Sequence, residues 1–303
     1  MSTSFDRSAD DVGNILALEH LNVQVPDQLK ATLFYVVGLG LTRDPYMMVG
    51  PDSMWVNAGR NQFHLLTRTQ QVVNGRTGIV VGDLDALQRR LEFVQPQLAG
   101  TAFSFERKDG ALHLRCPWGN HFICHAPGAS FGRMTLGLPY VEVDVAPGAA
   151  AAIARFYREI VGARTRMLDD AGNAVAAVQC GTDQQIRYRE TAGPIGPYDG
   201  WHIQIYVGDF TGVHRSLEAR GLVAEESNTH QYRFTDIVDL DDGRKLATVE
   251  HEVRSVLHPM FGRPLVNRNP AQSVGAYTLG SDAWVQGGTP IRLGAKKVAV
   301  MPT

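Results

Sequence analysis

The alternation of apolar and polar side chains along the chain predicts many short β-strands separated by a few helices. The segment Trp201–Asp209 is the clearest strand, because Ile203, Ile205 and Val207 alternate with His, Gln and Tyr at the period of two expected of a half-buried strand. Asp209 follows directly and is a residue type that often caps the N-terminus of a helix. The segment therefore predicts a strand followed by a helix.

The predicted elements form four consecutive modules, each a β-α-β-β-β unit, which indicates an α+β fold. In each module an alternating strand is followed by an amphipathic helix and then by three further strand-like segments. The helices are predicted over residues 27–37, 83–93, 147–161 and 210–220.

The modules divide the chain into two halves and an extension. Modules one and two are expected in residues 15–130, and modules three and four in residues 137–255. Residues 256–303 are rich in Pro, Gly and Asn, show little periodicity, and are predicted to form a C-terminal extension.

Short segments of the first half recur in the second half at the same internal spacing. Phe34-Tyr35 precedes a glycine as Phe156-Tyr157 does, and Val81-Gly82-Asp83 precedes an Arg-x-Leu triplet as Val207-Gly208-Asp209 does. The matched positions lie about 122 to 126 residues apart. Two anchors in the same order indicate that the second half is a duplicate of the first.

Composition excludes several classes of partner. The chain has 303 residues, 44% hydrophobic residues and a formal charge of −2, so we expect neither nucleic-acid nor membrane binding. The polar N-terminal residues 1–11 are not typical of a signal peptide. The three cysteines have no framework spacing and are interpreted as reduced thiols of a cytoplasmic protein.

The motifs of modules one and four together resemble the vicinal oxygen chelate superfamily, which includes glyoxalase I, extradiol ring-cleaving dioxygenases and bleomycin-resistance proteins. The resemblance covers about residues 15–255 and rests on a short set of motifs. These are His20-x-x-Val-x-Val-x-Asp27 with Phe34-Tyr35 and Gly40, the segment His202–Asp209, and Asp241-Asp242-Gly243-Arg244 before the last strand.

The resemblance implies two glyoxalase-like domains in which paired modules form a cup around one divalent metal ion. The ligands would come from the first and last strands of the paired modules. In module one these strands carry His20 and His64, and in module four they carry His202 and Glu250. These four residues are the predicted metal ligands.

Modules two and three lack ligand-capable residues at the matching positions. The first strands there carry Arg76 and Tyr140, and the last strands are expected to place Ile123 and Ile186 at the ligand position. The pattern implies that module one pairs with module four and builds the metal site. Modules two and three would then form a second cup without a metal.

Strand geometry limits which neighbouring residues share one ion. Residues two apart on a strand lie about 6.6 Å apart, so Gln62 and His64 do not easily bind the same metal, and neither do Glu250 and Glu252. One member of each pair is therefore a ligand, and the other is a base or a supporting group. Glu252 is a candidate base, and His64 is either the fourth ligand or an acid/base.

Three functions are compatible with this residue set. Two imidazoles and a carboxylate suit Fe(II) and a dioxygenase that acts on a small metal-chelating compound, aromatic or oxygenated. Four protein ligands suit Zn, Ni or Mn in a glyoxalase-like isomerase or lyase. A non-catalytic small-molecule binding protein is the third hypothesis.

Further residues are candidates for the substrate site or for structure alone. Module one carries polar and aromatic residues that could line its cup and contact a small-molecule substrate. The His and Cys residues between positions 113 and 125 are interpreted as structural, because His121 and His125 are about 13 Å apart on a strand. A homodimer is a possible assembly. The candidate substrate-binding residues are Arg43, Tyr46, Trp55 and Asn57.

Overall fold

A computed structural model describes residues 7–44, 47, 52–263 and 265. In this part of the chain sixteen strands and four α-helices follow one another in the predicted modular order. The strands are β1 (Ile15–Val25), β2 (Thr42–Arg43), β3 (Ser53–Ala58), β4 (Asn61–Thr67), β5 (Gly75–Val80), β6 (Ser104–Lys108), β7 (Ala111–Arg115), β8 (His121–His125), β9 (Gly137–Val145), β10 (Thr165–Asp170), β11 (Asn173–Cys180), β12 (Gln184–Glu190), β13 (His202–Val207), β14 (Val223–Asn228), β15 (Gln231–Val238) and β16 (Lys245–Ser255).

The helices begin and end close to the predicted positions. Asp27, Asp83 and Asp209 each cap a helix, and each carboxylate accepts hydrogen bonds from backbone N–H groups of the first turn. The first and third helices both continue as π-helical segments, a shared irregularity that agrees with the duplication. The helices are α1 (Gln28–Ala31, continued by Thr32–Gly38), α2 (Leu84–Val94), α3 (Ala150–Phe156, continued by Tyr157–Val161) and α4 (Phe210–Glu218).

The strands form two eight-stranded sheets, and each sheet combines one module from the first half of the chain with one module from the second half. The first sheet has the order β14-β15-β16-β13-β1-β4-β3-β2 and joins modules four and one. The second has the order β10-β11-β12-β9-β5-β8-β7-β6 and joins modules three and two. The predicted α+β fold is confirmed, and the implied pairing of module one with module four is observed.

A local two-fold axis relates the two modules of the first sheet. Strands β1 and β13 pair antiparallel, with His20 opposite Gln204, Leu21 opposite Ile203 and Asn22 opposite His202. The axis therefore passes between Leu21 and Ile203, and it relates His20 to His202. This register brings the two motif histidines to the centre of one sheet, on the same face.

The other face of each sheet is packed against the helices. Leu21, Ile203 and Phe63 are completely or almost completely buried in the hydrophobic core that the helices cover. Because side chains alternate between faces, this burial leaves the opposite face of β1, β13 and β4 free to carry polar groups. Among the described residues, no helix is long and apolar enough to cross a membrane.

A buried hydrogen-bond network connects two tyrosines of module three to a histidine of module four inside this core. The Tyr157 hydroxyl lies 2.6 Å from the Tyr188 hydroxyl and 2.5 Å from His251 Nε2, while His251 Nδ1 lies 2.7 Å from the Val249 carbonyl oxygen. All three side chains are fully buried. The network therefore satisfies polar atoms that water does not reach.

Replacing Tyr157 with phenylalanine should destabilise the protein by about 1 to 3 kcal/mol, because Tyr188 and His251 would each lose a buried hydrogen-bond partner. The loss should appear as a lower midpoint of urea unfolding at an unchanged m-value. Tyr232→Phe is the control, since the Tyr232 hydroxyl has one hydrogen bond of 3.3 Å to the Phe210 carbonyl oxygen and should contribute less. Equal stability of wild type and Tyr157→Phe would contradict the prediction.

Candidate active site

The four central strands of the first sheet present two rows of polar side chains on the face opposite the helices. Pairing is in register across β16, β13, β1 and β4, so directly opposed residues point the same way. In strand order the first row is Glu252, Gln204, His20 and Gln62, and the second row is Glu250, His202, Asn22 and His64.

Three residues of these rows converge closely enough to bind one metal ion. Ligand-capable atoms of His20, His202 and Glu252 all lie within 4.8 Å of one another. The two imidazole rings have their centroids 5.9 Å apart. His20 is 1% exposed and Glu252 is 3% exposed, so the cluster is shielded from bulk solvent.

His20 is held so that one ring nitrogen points into the cluster. Its Nδ1 lies 3.3 Å from Glu19 Oε2, and the Glu19 carboxylate also accepts hydrogen bonds from Arg254 and from the Tyr206 hydroxyl. The Nε2 of His20 is buried and has no hydrogen-bond partner among the described residues. A carboxylate on one ring nitrogen and a free second nitrogen is the usual arrangement of a metal-binding histidine.

His202 also has a carboxylate close to each of its ring nitrogens. Its Nδ1 lies 3.4 Å from Glu250 Oε1, and its Nε2 lies 3.7 Å from Glu252 Oε2. Each imidazole therefore has one carboxylate beside Nδ1, Glu19 for His20 and Glu250 for His202. The second nitrogen of each ring is directed to the cluster.

Two arginines surround the carboxylate of the cluster. Arg233 Nη2 lies 2.5 Å from Glu252 Oε2, and Arg254 Nη2 lies 2.5 Å from Glu252 Oε1. Arg233 also contacts Glu250, and Arg254 contacts Glu19. These guanidinium groups compensate the buried negative charges and fix the positions of all three carboxylates.

Burial keeps the imidazoles neutral. It lowers the pKa of His20 to about 3, against the opposing effect of Glu252. It also lowers the pKa of His202 well below its ordinary value, with His20 and Arg233 acting in the same direction. Burial raises the pKa of Glu19, and Arg254 opposes the rise. Neutral rings keep the lone pair that a metal requires.

His64 lies beside the cluster but outside its closest group. Its ring stacks on Trp55 at a centroid distance of 4.0 Å, and the His20 ring is 6.1 Å away. Its Nε2 lies 3.1 Å from Ser53 Oγ. Burial lowers the pKa of His64 to about 3, whereas an efficient general base has its pKa near the working pH. The environment favours a ligand or a hydrogen-bonding role over that of a base.

The carboxylate in the cluster is Glu252 rather than Glu250, the residue that the sequence analysis selected as the ligand. Glu250 pairs in register with His202 itself, and its carboxylate lies on the Nδ1 side of that ring. Glu252 is two residues further along β16 and pairs with Gln204. Its carboxylate lies within 4.8 Å of a ring nitrogen of each of the two histidines. Because the turn before β16 is long, the sequence does not specify which glutamate of β16 lies beside the histidines.

Only part of the predicted substrate-binding set lies in the cup. Trp55 and Asn57 are on the cup face, where Asn57 Oδ1 accepts a hydrogen bond from Gln62. Arg43 is exposed and lies opposite Val56, a core residue, so it is on the other face of the sheet. Tyr46 lies outside the described residues.

Residues that follow β16 return to module one and contact this cup. Arg263 Nη2 donates to Asp44 Oδ2 at 2.7 Å and to Gln62 Oε1 at 3.4 Å, deep in the protein. Gln62 Nε2 also donates to Asp44 Oδ2 at 2.6 Å. Gln62 is therefore engaged in a buried network, although it is the register partner of His20. Residue 264 and residues 266–303 of the predicted extension lie outside the described part.

The matching cup of the second sheet is filled by its own side chains. An added Cβ at Gly78 would lie 2.5 Å from the Tyr140 ring, so this ring covers the floor of the cup. Arg76 forms ion pairs with Glu142 and Asp170, both at 2.6 Å. The register places Arg187 opposite Glu142, so Arg187 and not Ile186 occupies the position that corresponds to His64.

Glu19, Arg233 and Arg254 support the cluster and were not selected from the sequence. An irregularity of β1 between Leu18 and His20 lets Glu19 lie beside the ring of its own neighbour. The available signal was the group of charged residues near the end of β16, Glu250, Glu252 and Arg254, since charges on central strands need partners. Their partners became visible only with the strand order.

The fold is shared with known structures at low sequence identity. A protein of Bacillus subtilis described as a candidate dioxygenase is 13% identical, with 86% of this chain and 89% of that chain covered and a TM-score of 0.55. A mutant form of glyoxalase I from Zea mays is 13% identical, with 79% and 93% covered and a TM-score of 0.56. No protein-family model and no curated protein matches the sequence. The chain therefore shares the fold of these two structures, in agreement with the fold that its motifs predicted.

Proposed function

We propose that the protein is a metal-dependent enzyme of the vicinal oxygen chelate type, with His20, His202 and Glu252 as the metal ligands. The observation that carries the proposal is the buried convergence of these three groups within 4.8 Å. The unpartnered Nε2 of His20 supports it, because a buried nitrogen without a partner is costly unless something binds there. Two imidazoles and one carboxylate are a donor set that fits a divalent ion.

The residues around the ligands prepare the site. Glu19 is hydrogen-bonded to Nδ1 of His20, and Glu250 lies beside Nδ1 of His202. Both carboxylates favour the tautomer in which Nε2 has the lone pair. Arg233 and Arg254 neutralise the carboxylates. Trp55 and Asn57 extend the cup wall beside the ligands, and we propose that they contact the substrate. The shielding of these groups would exclude water from the reacting atoms.

Fe(II) and a dioxygenase reaction on a small metal-chelating compound, aromatic or oxygenated, fit this donor set best. Three protein ligands on one side would leave open positions, where Fe(II) supplies redox chemistry toward O₂ and a bound chelating substrate. His64, with Nε2 beside Ser53 Oγ, can hydrogen-bond an oxygen of such a substrate. Similarity of fold alone would not choose this chemistry, since one fold hosts many reactions.

A glyoxalase-like isomerase or lyase is the second candidate, and the position of His64 favours it. The His64 ring is 6.1 Å from that of His20, and a rotation of its side chain could bring a fourth ligand to the ion. Four protein ligands suit Zn, Ni or Mn acting as a Lewis acid. In that case Glu250 or a water molecule held by it would be the base.

Elemental analysis of protein purified without oxygen should find about one divalent ion per chain, and the His20→Ala, His202→Ala double variant should have none. The reason is that both rings supply ligand nitrogens and nothing nearby replaces them. One iron per chain, with oxygen uptake in the presence of catechol, would support the dioxygenase. Zinc, nickel or manganese without oxygen uptake would support the isomerase or lyase.

The control is a double variant of the second cup, His121→Ala with His125→Ala, which should keep the ion. Absence of any metal from the wild type, even after reconstitution, would reject the catalytic proposal and leave a non-catalytic binding protein. Retention of the ion by the His20, His202 variant would reject the ligand assignment.

We also propose a cytoplasmic location and a small-molecule substrate. The three cysteines are free and buried, as expected of a protein that does not depend on disulfides. A homodimer is a further proposal, which sedimentation equilibrium can test.

A further inference from the structure

Gln204 lies on the sheet beneath the proposed metal site and has unmet hydrogen-bonding capacity. It is 0% exposed, and among the described residues neither its Oε1 nor its Nε2 has a hydrogen-bond partner. A buried amide with both polar atoms unpaired is rare, because the desolvation of such a group is not repaid. Its position therefore calls for an explanation.

The strand register places Gln204 directly between two of the proposed ligands. It is opposite His20 on β1 and opposite Glu252 on β16, so its side chain rises from the sheet between theirs. Any group held by His20, His202 and Glu252 lies above this position. The amide is thus next to whatever the cluster binds.

Asn22 is the counterpart of Gln204 across the local two-fold axis and also has an unpaired amide atom. It is opposite His202 on β13 and opposite His64 on β4, and it is 2% exposed. Its Oδ1 is buried without a partner in the described part of the chain. Two unsatisfied amides therefore flank the histidines on the floor of one cup.

Four other polar residues of the two rows already have hydrogen-bond or ion-pair partners. Gln62 is bonded to Asp44 and Asn57, His64 to Ser53, and Glu250 and Glu252 to arginines. Apart from the proposed ligands His20 and Glu252, the atoms of the two rows that are buried without a hydrogen-bond partner in the described part of the chain belong to Gln204 and Asn22.

We propose that Gln204, together with Asn22, binds the molecule that the metal site holds and selects ligands that both donate and accept hydrogen bonds beside their metal-binding oxygen. An amide offers an acceptor and two donors on one planar group, which complements a hydroxyl, a hydroxamate or a protonated vicinal oxygen. Gln204 would position such a group and would not bind the metal. The inference rests on the proposed metal site.

Gln204→Met is the test, because methionine keeps the approximate volume and removes every strong hydrogen-bonding atom. In protein loaded with its own metal, the variant should bind acetohydroxamate about tenfold more weakly than the wild type, measured by calorimetry without oxygen. Its metal content should be unchanged. In metal-free protein the same variant should unfold about 2 to 4 °C higher, since an unsatisfied buried amide has been removed.

Gln185→Met is the matched control, since Gln185 faces the second cup, where its Oε1 accepts from Arg187. It should change neither the metal content nor the affinity for acetohydroxamate. Asn22→Leu provides a second variant if Gln204→Met does not fold, with the same expected loss of affinity.

The outcomes separate this inference from the proposed function. A wild type without metal rejects the proposed function. A metal-loaded wild type that binds acetohydroxamate no better than Gln204→Met and Asn22→Leu do, or that does not bind it at all, rejects the inference alone. A Gln204→Met protein that loses its metal also rejects the inference, because Gln204 would then be a ligand.

Discussion

Glu252→Ala should remove the bound metal completely, whereas Glu250→Ala should weaken metal binding by about 10- to 100-fold. The difference follows from the place of each carboxylate. Glu252 lies with the two histidines in the group whose ligand atoms are within 4.8 Å of one another. Glu250 is beside His202 Nδ1, where it orients a ligand without being one.

Glu250→Ala and Glu252→Ala are well matched, because the same substitution is made two residues apart on one strand. Both carboxylates contact Arg233, so both variants release part of the same arginine network. The variants differ in the nitrogen of His202 that loses its neighbouring carboxylate, which is Nε2 in Glu252→Ala and Nδ1 in Glu250→Ala. Dissociation constants can be measured by competition with a chromophoric chelator at fixed pH.

A chain with Glu252→Ala that binds metal as tightly as the wild type would overturn the ligand assignment. Loss of the ion from Glu250→Ala, with retention in Glu252→Ala, would restore Glu250 as the ligand. Circular dichroism should first show that both variants are folded, because each removes one of the carboxylates that Arg233 contacts.

The metal-free protein should lose stability steeply as the pH falls from about 6.5 to 5. Burial lowers the pKa of His20, His64 and His251 to about 3 in each case. Below pH 6.5 the unfolded chain binds protons at these histidines while the folded chain does not, so acid favours unfolding. Between pH 6.5 and pH 5 each histidine should contribute about 1.6 kcal/mol of destabilisation, or about 5 kcal/mol for the three.

One buried carboxyl group acts in the opposite direction. Burial raises the pKa of Glu19 above 4.5, although Arg254 opposes the rise, so the folded chain takes up a proton there before the unfolded chain does. This uptake stabilises the folded state as the pH falls and offsets part of the loss. The contribution of a single histidine is therefore best obtained as a difference between two proteins.

His251→Phe isolates that contribution, since His251 already stacks on Phe234 at 4.2 Å and lies in the core away from the cup. Urea unfolding with EDTA at pH 6.5 and pH 5 should show the wild type losing about 1.6 kcal/mol more than the variant. Equal losses in the two proteins would show that His251 is not buried in its neutral form.

The periodic features of the chain were readable from the sequence. Alternation in Trp201–Asp209 and the caps at Asp27 and Asp209 depend on neighbours within a few residues, and the structure places strands and helices there. His20 and His202 were identified because the same motif surrounds both. The lack of ligands in the other two modules predicts that these two histidines lie close together, and the structure places them side by side.

The supporting residues could not be read in this way. Arg254 and Glu19 are far apart in sequence, and their contact exists only because β16 and β1 flank β13 in one sheet. Arg43 was predicted to line the cup, but it pairs with Val56, whose side chain is in the core on the other face of the sheet. A side chain's face depends on register, and a shift of one residue reverses it.

The sequence by itself determined the four modules, their duplication, and the histidines of modules one and four, because hydrophobic period, helix caps and repeated motifs are local properties. Only the tertiary structure decided that Glu252 rather than Glu250 joins the histidines, and that Gln204 and Asn22 are buried with unpaired amide atoms between them. These facts depend on the register between strands that are distant in the chain. That register is set by the packing of whole sheets, which no single segment specifies.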